Sequence, residues 1–329
     1  MILRATTTCV PTVSVVIPTF NRAGLLGEAI ASVLRQSYSN LEVIVVDDGS
    51  TDSTADVVTS FADERLILLR QENRGRSAAR NRAIAKARGR YIAFLDSDDV
   101  YLEHKLEKQV DYMESHPDVG MTYTSALCID GNGDLLAHKY EATISGKIYK
   151  DIAFFMPVTV TLPTVMVRRE VFDAVGDFDE CMYRFEDTDM WRRISKSYSV
   201  GAIPEYTCKL RTHAGNCLTA QDPDQIRSAL DYYASKILRE DSDLSSFVLR
   251  KGLAGIYFYY GGAIGRMPHW HDKGLKLLTT AFRYWPLVFA RPSILRYYLV
   301  KSARRLFSNA VNSILKPKKY NPEERDIAA

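Results

Sequence analysis

The chain has 329 residues, 46% of them hydrophobic, and a formal net charge of +3. It is long enough to bury a full core, and its charge is too small to indicate nucleic-acid binding. Five scattered cysteines without a Cys-x-x-Cys pair argue against a disulfide framework or a zinc site and favour a reducing cytoplasm. Neither a run of about 18 apolar residues nor a signal-peptide centre is present, so we expect no spanning helix and no leader.

The first hundred residues alternate between apolar strands and amphipathic helices. The predicted strands are Val13–Ile17, Leu41–Val46, Leu66–Leu69 and Tyr91–Leu95. The predicted helices cover Leu25–Leu34, the stretch from Ser50 or Thr51 to Phe61, and Ser77–Ala87. The last helix should end at Gly89 in a left-handed cap. Strands that alternate with helices predict an α/β fold, with a mainly parallel sheet flanked by helices.

Polar side chains follow all four predicted strands, at the edge of the sheet where ligands bind in such folds. They are Thr19–Arg22, Asp47 and Asp48, Asn73, and Asp96–Asp99. Carboxylates packed behind a buried strand need a cation or several hydrogen-bond donors, and Asp-x-Asp suits Mg²⁺ or Mn²⁺. The alternative is that Ser97 or Asp98 caps a helix starting near Leu102.

Two common nucleotide-binding motifs are missing from this edge. The chain has neither the Gly-x-Gly-x-x-Gly turn of a dinucleotide site nor the Gly-x-x-x-x-Gly-Lys-Ser/Thr loop of a P-loop enzyme. A Rossmann dehydrogenase and a P-loop NTPase are therefore disfavoured.

The motifs and their order resemble family 2 glycosyltransferases, which are inverting enzymes with the GT-A fold. The resemblance covers roughly residues 12–215. Its motifs are Val15–Arg22, Val45–Asp52, Asn73–Gly75 with Ala79–Asn81, Phe94–Asp99, Gly176–Glu180, Phe185–Asp189 and Arg211–His213. The resemblance implies a nucleotide-sugar donor, by family frequency a UDP-sugar, and a glycan or lipid-linked glycan acceptor.

The resemblance assigns the first two motifs to the nucleotide. Asp48 would accept a hydrogen bond from the base, with Asp47 as the second candidate. The alternative is that Asp48 is only a turn residue in Asp-Gly-Ser-Thr. The loop that would line the nucleotide contributes Pro18, Thr19, Phe20 and Arg22.

Three further residues are assigned to the donor by resemblance. Asn73 and Arg80 would lie near the base or the diphosphate, although Arg80 could equally be a buried ion-pair partner of the aspartates. Asp96 would contact the ribose or a metal-bound water. The metal, Mn²⁺ or Mg²⁺, would be held by Asp98 and by His213, for which a structural role is the alternative.

The catalytic base implied by the resemblance is Asp187 in the Glu186-Asp187 pair. A sugar hydroxyl is a weak nucleophile, so a positioned carboxylate must accept its proton. The alternative is that the pair merely stabilises the N-terminus of a helix containing Met190 and Trp191.

The sequence in the middle of the chain predicts a β-hairpin and a segment that forms part of the acceptor-binding side of the site. Asp130-Gly131-Asn132-Gly133 is typical of a hairpin turn within Leu127–Leu136. We expect Ala153–Val167 on the acceptor side. Trp191 and Tyr183 could stack on a sugar ring or belong to the core.

After Pro223 the pattern becomes helical and aromatic, which predicts a catalytic domain at residues 1–220 and a helical region at 221–329. The predicted helices are Ile226–Glu240, Leu244–Gly261, Trp270–Tyr284 and Pro292–Leu315. From Lys273 through Pro322 there are eleven Lys or Arg and no Asp or Glu. This pattern suits a cytoplasmic protein attached peripherally to anionic lipid on the inner face of the cell membrane. The alternative is a helical subdomain or homo-oligomer contact; no nucleic-acid motif is present.

The sequence thus predicts a metal-dependent inverting glycosyltransferase. Two alternatives stay open at this point. A sugar-nucleotidyltransferase would need a Gly-rich, basic triphosphate loop after the first strand, for which Pro18–Arg22 is a poor substitute. A catalytically inactive partner with the same fold is the other alternative.

Overall fold

A computed structural model describes residues 10–155, 160–212 and 222–290. The predicted helix Pro292–Leu315 lies outside these ranges. The strands are β1 (Val13–Thr19), β2 (Leu41–Asp47), β3 (Leu66–Arg70), β4 (Tyr91–Phe94), β5 (Val100–Tyr101), β6 (Val119–Ile129), β7 (Leu135–Tyr140), β8 (Val165–Arg168) and β9 (Ser199–Arg211). The helices are α1 (Ala23–Leu34), α2 (Thr54–Thr59), α3 (Arg76–Lys86), α4 (Lys105–Ser115), α5 (Tyr149–Ala153), α6 (Arg169–Val175), α7 (Glu186–Ser197), α8 (Pro223–Glu240), α9 (Ser246–Gly265) and α10 (His271–Tyr284). Short 3₁₀ turns are Leu162–Thr164, Pro268–Trp270 and Pro286–Ala290.

The described strands form one mixed sheet in the order β3-β2-β1-β4-β8-β6-β9-β5, with β7 paired to β6. The four strands of the first hundred residues are parallel, as predicted. The second half adds β8 antiparallel to β4 and β6, while β9 runs parallel to β6. The α/β fold class with a helical C-terminal region is confirmed.

Both faces of the sheet are covered, which explains why β1 and β2 are continuously buried rather than alternating. On one face, Val15 and Ile17 pack against α1 and α4. On the other, Val16 and Phe94 pack against α3, α6 and α7. The sheet's carboxyl edge is therefore held between two helical layers.

The C-terminal helices pack onto the sheet-containing part of the chain through a third apolar cluster. It combines Phe154 and Phe185 with Tyr233 of α8 and Leu253 of α9. Within the described ranges, no helix combines the length and the apolar character needed to cross a membrane.

One alternative interpretation and one local prediction were wrong. Helix α4 begins at Lys105, after the short strand β5, so neither Ser97 nor Asp98 caps it. Gly89 is not in the left-handed region and does not cap α3. Its glycine is needed because a Cβ there would lie 2.5 Å from the Ser14 backbone nitrogen of β1. The chain thus passes too close to β1 for any side chain.

We expect Gly89→Ala to lower the free energy of unfolding by about 2 kcal/mol, because the added methyl group overlaps β1 backbone atoms. Urea denaturation measures the change. The control is Gly24→Ala in α1, where a Cβ meets no atom within 4 Å. There we expect a neutral or slightly stabilising effect. Equal effects at both sites would contradict this account of Gly89.

Candidate active site

One large cavity opens at the carboxyl ends of β1, β2 and β4 and has a volume of about 1270 Å³. It is lined both by the polar residues that follow these strands and by the first turn of α7, so Asp98 and Asp187 share one cleft. Among the predicted site residues, those lining it are Pro18, Thr19, Phe20, Arg22, Asp48, Arg80, Asp96, Asp98 and Asp187.

The loop after β1 is held in a strained shape by the turn after β2. Asn21 has a φ of 51°, an uncommon value for a non-glycine residue. Its side-chain oxygen accepts from the Thr51 amide at 2.9 Å, and its own amide donates to Ser50 Oγ at 2.9 Å. These bonds join the loop after β1 to the turn after β2, and they fix the wall formed by Thr19 and Phe20.

Asp48 anchors a second loop at the cavity wall. Its carboxylate accepts from the backbone amides of Arg74 and Gly75 at 2.9 and 2.8 Å, and from Gln71 Nε2 at 2.7 Å. Asp47 is fully buried and bonds to Ser50 and Arg70 instead. Asp48 is thus the cavity-lining member of the pair, and much of its hydrogen-bonding capacity already organises the loop.

The three aspartates after β4 differ in environment. Asp99 is buried and accepts from the Arg211 amide at 2.7 Å, and burial, Asp96 and Asp98 raise its pKa. Burial also raises the pKa of Asp96, which Arg80 opposes and Asp98 reinforces. Asp98 is 15% exposed, with Oδ2 4.0 Å from Arg22 Nη2. The cluster concentrates negative charge that a cation would relieve.

Arg80 joins the two halves of the cleft. From α3, its Nη2 donates to Asp96 Oδ1 at 3.1 Å and its Nη1 to Glu186 Oε1 at 3.0 Å. The guanidinium is buried and lies over the Phe178 ring. These are the buried ion pairs that the sequence left as an alternative role for Arg80. They set the distance between the aspartates of β4 and the first turn of α7.

Asp187 and Glu186 have different surroundings although they are adjacent. Glu186 is buried and bonded to Arg80 and Arg76. In the part of the chain that the structure describes, Asp187 accepts hydrogen bonds only from Thr188, at 2.6 Å to the amide. Burial and the charge of Glu186 raise the pKa of Asp187 to about 6, although Arg80 opposes the shift. This carboxylate is ionised at neutral pH and more basic than usual.

Helix α7 follows a residue with a strained backbone, and an ion pair with α8 holds the helix in place. Phe185 has a φ of 64° and packs against Phe155 and Tyr260. One turn on, Lys236 of α8 places Nζ 2.9 Å from Asp189 and 2.7 Å from Asp179. The C-terminal helices therefore position the segment that carries Asp187.

Not every predicted residue lines the cavity. Asn73 is exposed on the loop held by Asp48, and it lies so close to Gly49 that a Cβ there would be 2.9 Å from its amide nitrogen. His213 lies outside the described residues. Trp191 is fully buried against Phe94 and Phe178, as the core interpretation predicts, whereas Tyr183 is 65% exposed.

Two cavity arginines lie outside the motifs that the sequence analysis named. Arg76 precedes Arg80 by one helical turn, so the spacing indicates that they share a face, whereas the ion pair of Arg76 with Glu186 depends on the tertiary fold. Arg184 precedes the Phe185–Asp189 motif and lines the cavity. No sequence signal indicated it, because its position depends on the αL turn at Phe185.

The carboxylates at this site suit a metal ion that is shared with a bound ligand better than one coordinated entirely by protein side chains. Within residues 10–155, 160–212 and 222–290, no three His, Cys, Asp or Glu side chains are arranged to hold a metal. Asp98 and Asp96 nevertheless line the same cavity. Mg²⁺ and Mn²⁺ commonly bind through one or two carboxylates together with substrate phosphates and water. The residues present fit that mode.

Comparisons with known proteins agree with this architecture. Residues 14–176 match the family model described as Glycosyl transferase family 2. A putative teichuronic acid biosynthesis glycosyltransferase, TuaG of Bacillus subtilis, is 44% identical over 58% of this chain and 87% of its own length. The chain spans only 32 to 40% of the first curated relatives it matches, uncharacterized glycosyltransferases of Rickettsia species.

Solved structures share the fold. Staphylococcus aureus TarS, residues 1–349 in complex with UDP-GlcNAc, aligns with a TM-score of 0.62 at 19% identity, covering 83% of this chain and 81% of the other. The mannosyltransferase PcManGT of Pyrobaculum calidifontis, in complex with GDP-Man and Mn²⁺, aligns at 0.58 with 21% identity, covering 90% and 80%. At these identities the likeness establishes the GT-A fold.

Two acidic residues of α7 should respond oppositely to amide substitution. The pKa of Asp187 is about 6 in the folded protein and near 4 in the unfolded chain, so ionisation of this carboxylate lowers the free energy of unfolding. The full loss is present above about pH 6, and none is present below about pH 4. We expect Asp187→Asn to stabilise the fold by about 1–3 kcal/mol at pH 8 and hardly at pH 4.

Asp189 is the matched control two residues away. Burial alone would raise its pKa, but Arg193, Arg192 and Lys236 outweigh burial and lower it. Asp189→Asn should therefore destabilise the fold at pH 8, by about 3 kcal/mol. Urea denaturation at both pH values measures both variants. The same sign of change at the two positions would refute this electrostatic description.

Proposed function

The chain belongs to glycosyl transferase family 2, and from that premise we propose that it is a metal-dependent inverting enzyme. It moves a sugar from a nucleoside-diphosphate donor to a hydroxyl group of a glycan acceptor. The observation that carries this proposal is the meeting of Asp98 and Asp187, 89 positions apart in the sequence, in one cavity. The Arg80 bridge supports it, because it fixes the two sides relative to each other.

The nucleotide is assigned to the side of the cavity formed by β1 and β2. Thr19 Oγ1 is buried and has no hydrogen-bond partner among the residues that the structure describes, so it is available to a ligand at the rim. Asp48 lies on the same side and can accept from a base N–H. The complexes of the neighbouring structures with UDP-GlcNAc and GDP-Man support a nucleoside-diphosphate sugar. We propose UDP as the nucleotide.

The diphosphate is assigned to Asp98 and Arg22. A divalent ion bound at Asp98 would supply electrophilic stabilisation of the leaving diphosphate. Asn73 and Asp96 belong to the donor side of the proposal, and His213 is proposed as a further metal ligand. Arg80 acts there by holding Asp96, because both of its terminal nitrogens are already bonded.

Asp187 is proposed as the general base. The acceptor oxygen forms a bond to the anomeric carbon while the bond from that carbon to the diphosphate oxygen breaks. The acceptor's proton passes to the Asp187 carboxylate, which is ionised above about pH 6. A single displacement inverts the anomeric carbon and needs no covalent enzyme intermediate. Its raised basicity suits Asp187 to the task.

The remaining assignments concern the acceptor and location. We propose a division near residue 220, with Ala153–Val167 forming part of the acceptor side and the helical region making a contact with membrane or another copy. Leu275 and Phe282 are exposed seven residues apart on α10, beside Lys276 and Arg283. An apolar and basic stripe of this kind supports peripheral binding to anionic lipid, where a lipid-linked glycan would be found.

A thermal-shift titration tests the donor and metal assignments. We expect UDP to raise the melting temperature only when Mn²⁺ or Mg²⁺ is present, and Asp98→Ala to abolish this rise. Asp111→Ala, at an exposed position on α4, is the control and should behave as wild type. Asp187→Asn should keep the UDP response while donor turnover falls by about 10²–10⁴. Indifference of the wild type to every nucleoside diphosphate would count against the proposal.

A further inference from the structure

The cavity is larger than a typical small-molecule site, and residues that the donor assignment does not use also line it. Its volume of about 1270 Å³ exceeds the roughly 300–1,000 Å³ of typical small-molecule sites. Beyond the donor residues, it is lined by a second group from β7, from the residues before α7 and from α9. This group comprises Tyr140, Tyr183, Arg184, Tyr259 and Tyr260.

Arg184 is unusual among the arginines of the cavity. The others have acidic partners: Arg22 lies near Asp98, Arg76 and Arg80 bond to Glu186, and Arg211 bonds to Glu28. For Arg184, the described residues provide only the face of the Phe185 ring, 5.8 Å from its guanidinium carbon. A partly buried guanidinium that has no acidic partner among the described residues is suited to bind an anionic group of a ligand.

The backbone that presents Arg184 is held on both sides. The Tyr183 carbonyl accepts from Arg76 Nη2 at 3.1 Å. Phe185, in its left-handed conformation, is packed against Phe155, Tyr233 and Tyr260. The backbone position of Arg184 is therefore fixed by the surrounding fold, and a residue that binds a ligand needs such a fixed position.

Tyr260 brings a hydroxyl group to the same place. It is partly buried, its ring packs edge-on against Phe185 at 5.5 Å, and no described residue hydrogen-bonds to its hydroxyl. Burial raises the pKa of Tyr260, which Arg184 opposes and Asp187 reinforces. Its hydroxyl is thus within electrostatic range of both the cation and the proposed base.

We propose that Arg184 and Tyr260 form an anion-binding subsite for the acceptor, which is a glycan carrying a carboxylate or phosphate group close to the hydroxyl that reacts. Arg184 donates a forked pair of hydrogen bonds to the anion, and the Tyr260 hydroxyl donates a third. Tyr259, 66% exposed, and Tyr183 offer ring faces to the sugar. The inference rests on the proposed function, because it assumes that Asp187 receives the acceptor's proton.

The geometry favours the acceptor over the donor as the source of the anion. The donor's diphosphate is assigned to Asp98 and Arg22 on the β1 and β4 side of the cavity. Arg184 directly precedes α7 and lines the cavity together with Asp187 and with Tyr259 and Tyr260 of α9. An anion held there orients the acceptor next to its base.

The test compares three probes that differ only at one carbon: phenyl β-glucoside, phenyl β-glucuronide and phenyl β-glucoside 6-phosphate. Their affinities are measured by ligand-observed NMR with the full chain, UDP and Mn²⁺ present. We expect the wild type to bind one or both anionic probes about tenfold more tightly than the neutral one. The better anionic probe identifies carboxylate or phosphate as the group recognised.

Variants show whether the preference depends on these residues. Arg184→Gln should abolish the preference, Arg184→Lys should restore part of it, and Tyr260→Phe should reduce it about threefold. Arg250→Gln, exposed on α9 outside the cavity, is the matched control and should keep the full preference. The affinity for UDP, measured in the same samples, should be equal in all variants.

The possible outcomes distinguish failure of the anion subsite from failure of the proposed function. Equal binding of the three probes by a wild type that binds UDP overturns the anion subsite alone. A preference that survives Arg184→Gln also overturns it, as does a loss of UDP affinity in that variant, which would assign Arg184 to the donor. A wild type that binds no nucleoside diphosphate overturns the proposed function, and the subsite with it.

Discussion

The buried guanidinium of Arg80 connects the two halves of the molecule that form the cleft. It bonds to Asp96, which follows the parallel half of the sheet, and to Glu186, which opens α7 beyond the antiparallel additions. A buried charge is tolerated only with partners in good geometry, so the two segments must approach from opposite sides. The arrangement leaves Asp98 and Asp187 facing one cavity without direct neutralisation by Arg80. Asp96 and Glu186 are thus bonded to Arg80, whereas Asp98 and Asp187 are the carboxylates proposed to act on the ligands.

Strain and electrostatic repulsion are concentrated around this cleft and are offset by the surrounding structure. The non-glycine residues with positive φ in the described ranges are Asn21, Phe155 and Phe185, and all are at or beside the cavity. Each is held by hydrogen bonds or aromatic packing from another segment. Lys236 adds support by joining Asp179 and Asp189, so α8 contributes to the geometry of the site through a residue that does not itself line the cavity. Such storage of strain at a site is common where a ligand must be pre-positioned.

The sequence predicted the parallel half of the fold well, because each strand there is a short apolar run that ends in polar residues. Long strands such as β9, and the pairing of β8 between β4 and β6, were missed, since their register depends on contacts distant in sequence. The cleft was predictable where a motif follows a strand, as at Asp96–Asp98. It was not predictable at Arg184 or Lys236, whose roles arise from the αL turn at Phe185 and from the docking of α8. Gly89 shows a third case, in which the residue was noticed but its reason, close approach to β1, was not.

The central claim is that Arg80 couples the β4 side of the cleft to the first turn of α7, and a double-mutant cycle of Arg80→Met and Glu186→Gln tests it most directly. The free energy of unfolding is measured for the wild type, both single variants and the double variant. We expect each single change to be costly, because it leaves a buried charge without its partner. The double variant should be more stable than the sum of the single effects implies, with a coupling of about 2 kcal/mol. Additive costs would contradict the claim, because the two segments would then be positioned independently of this interaction.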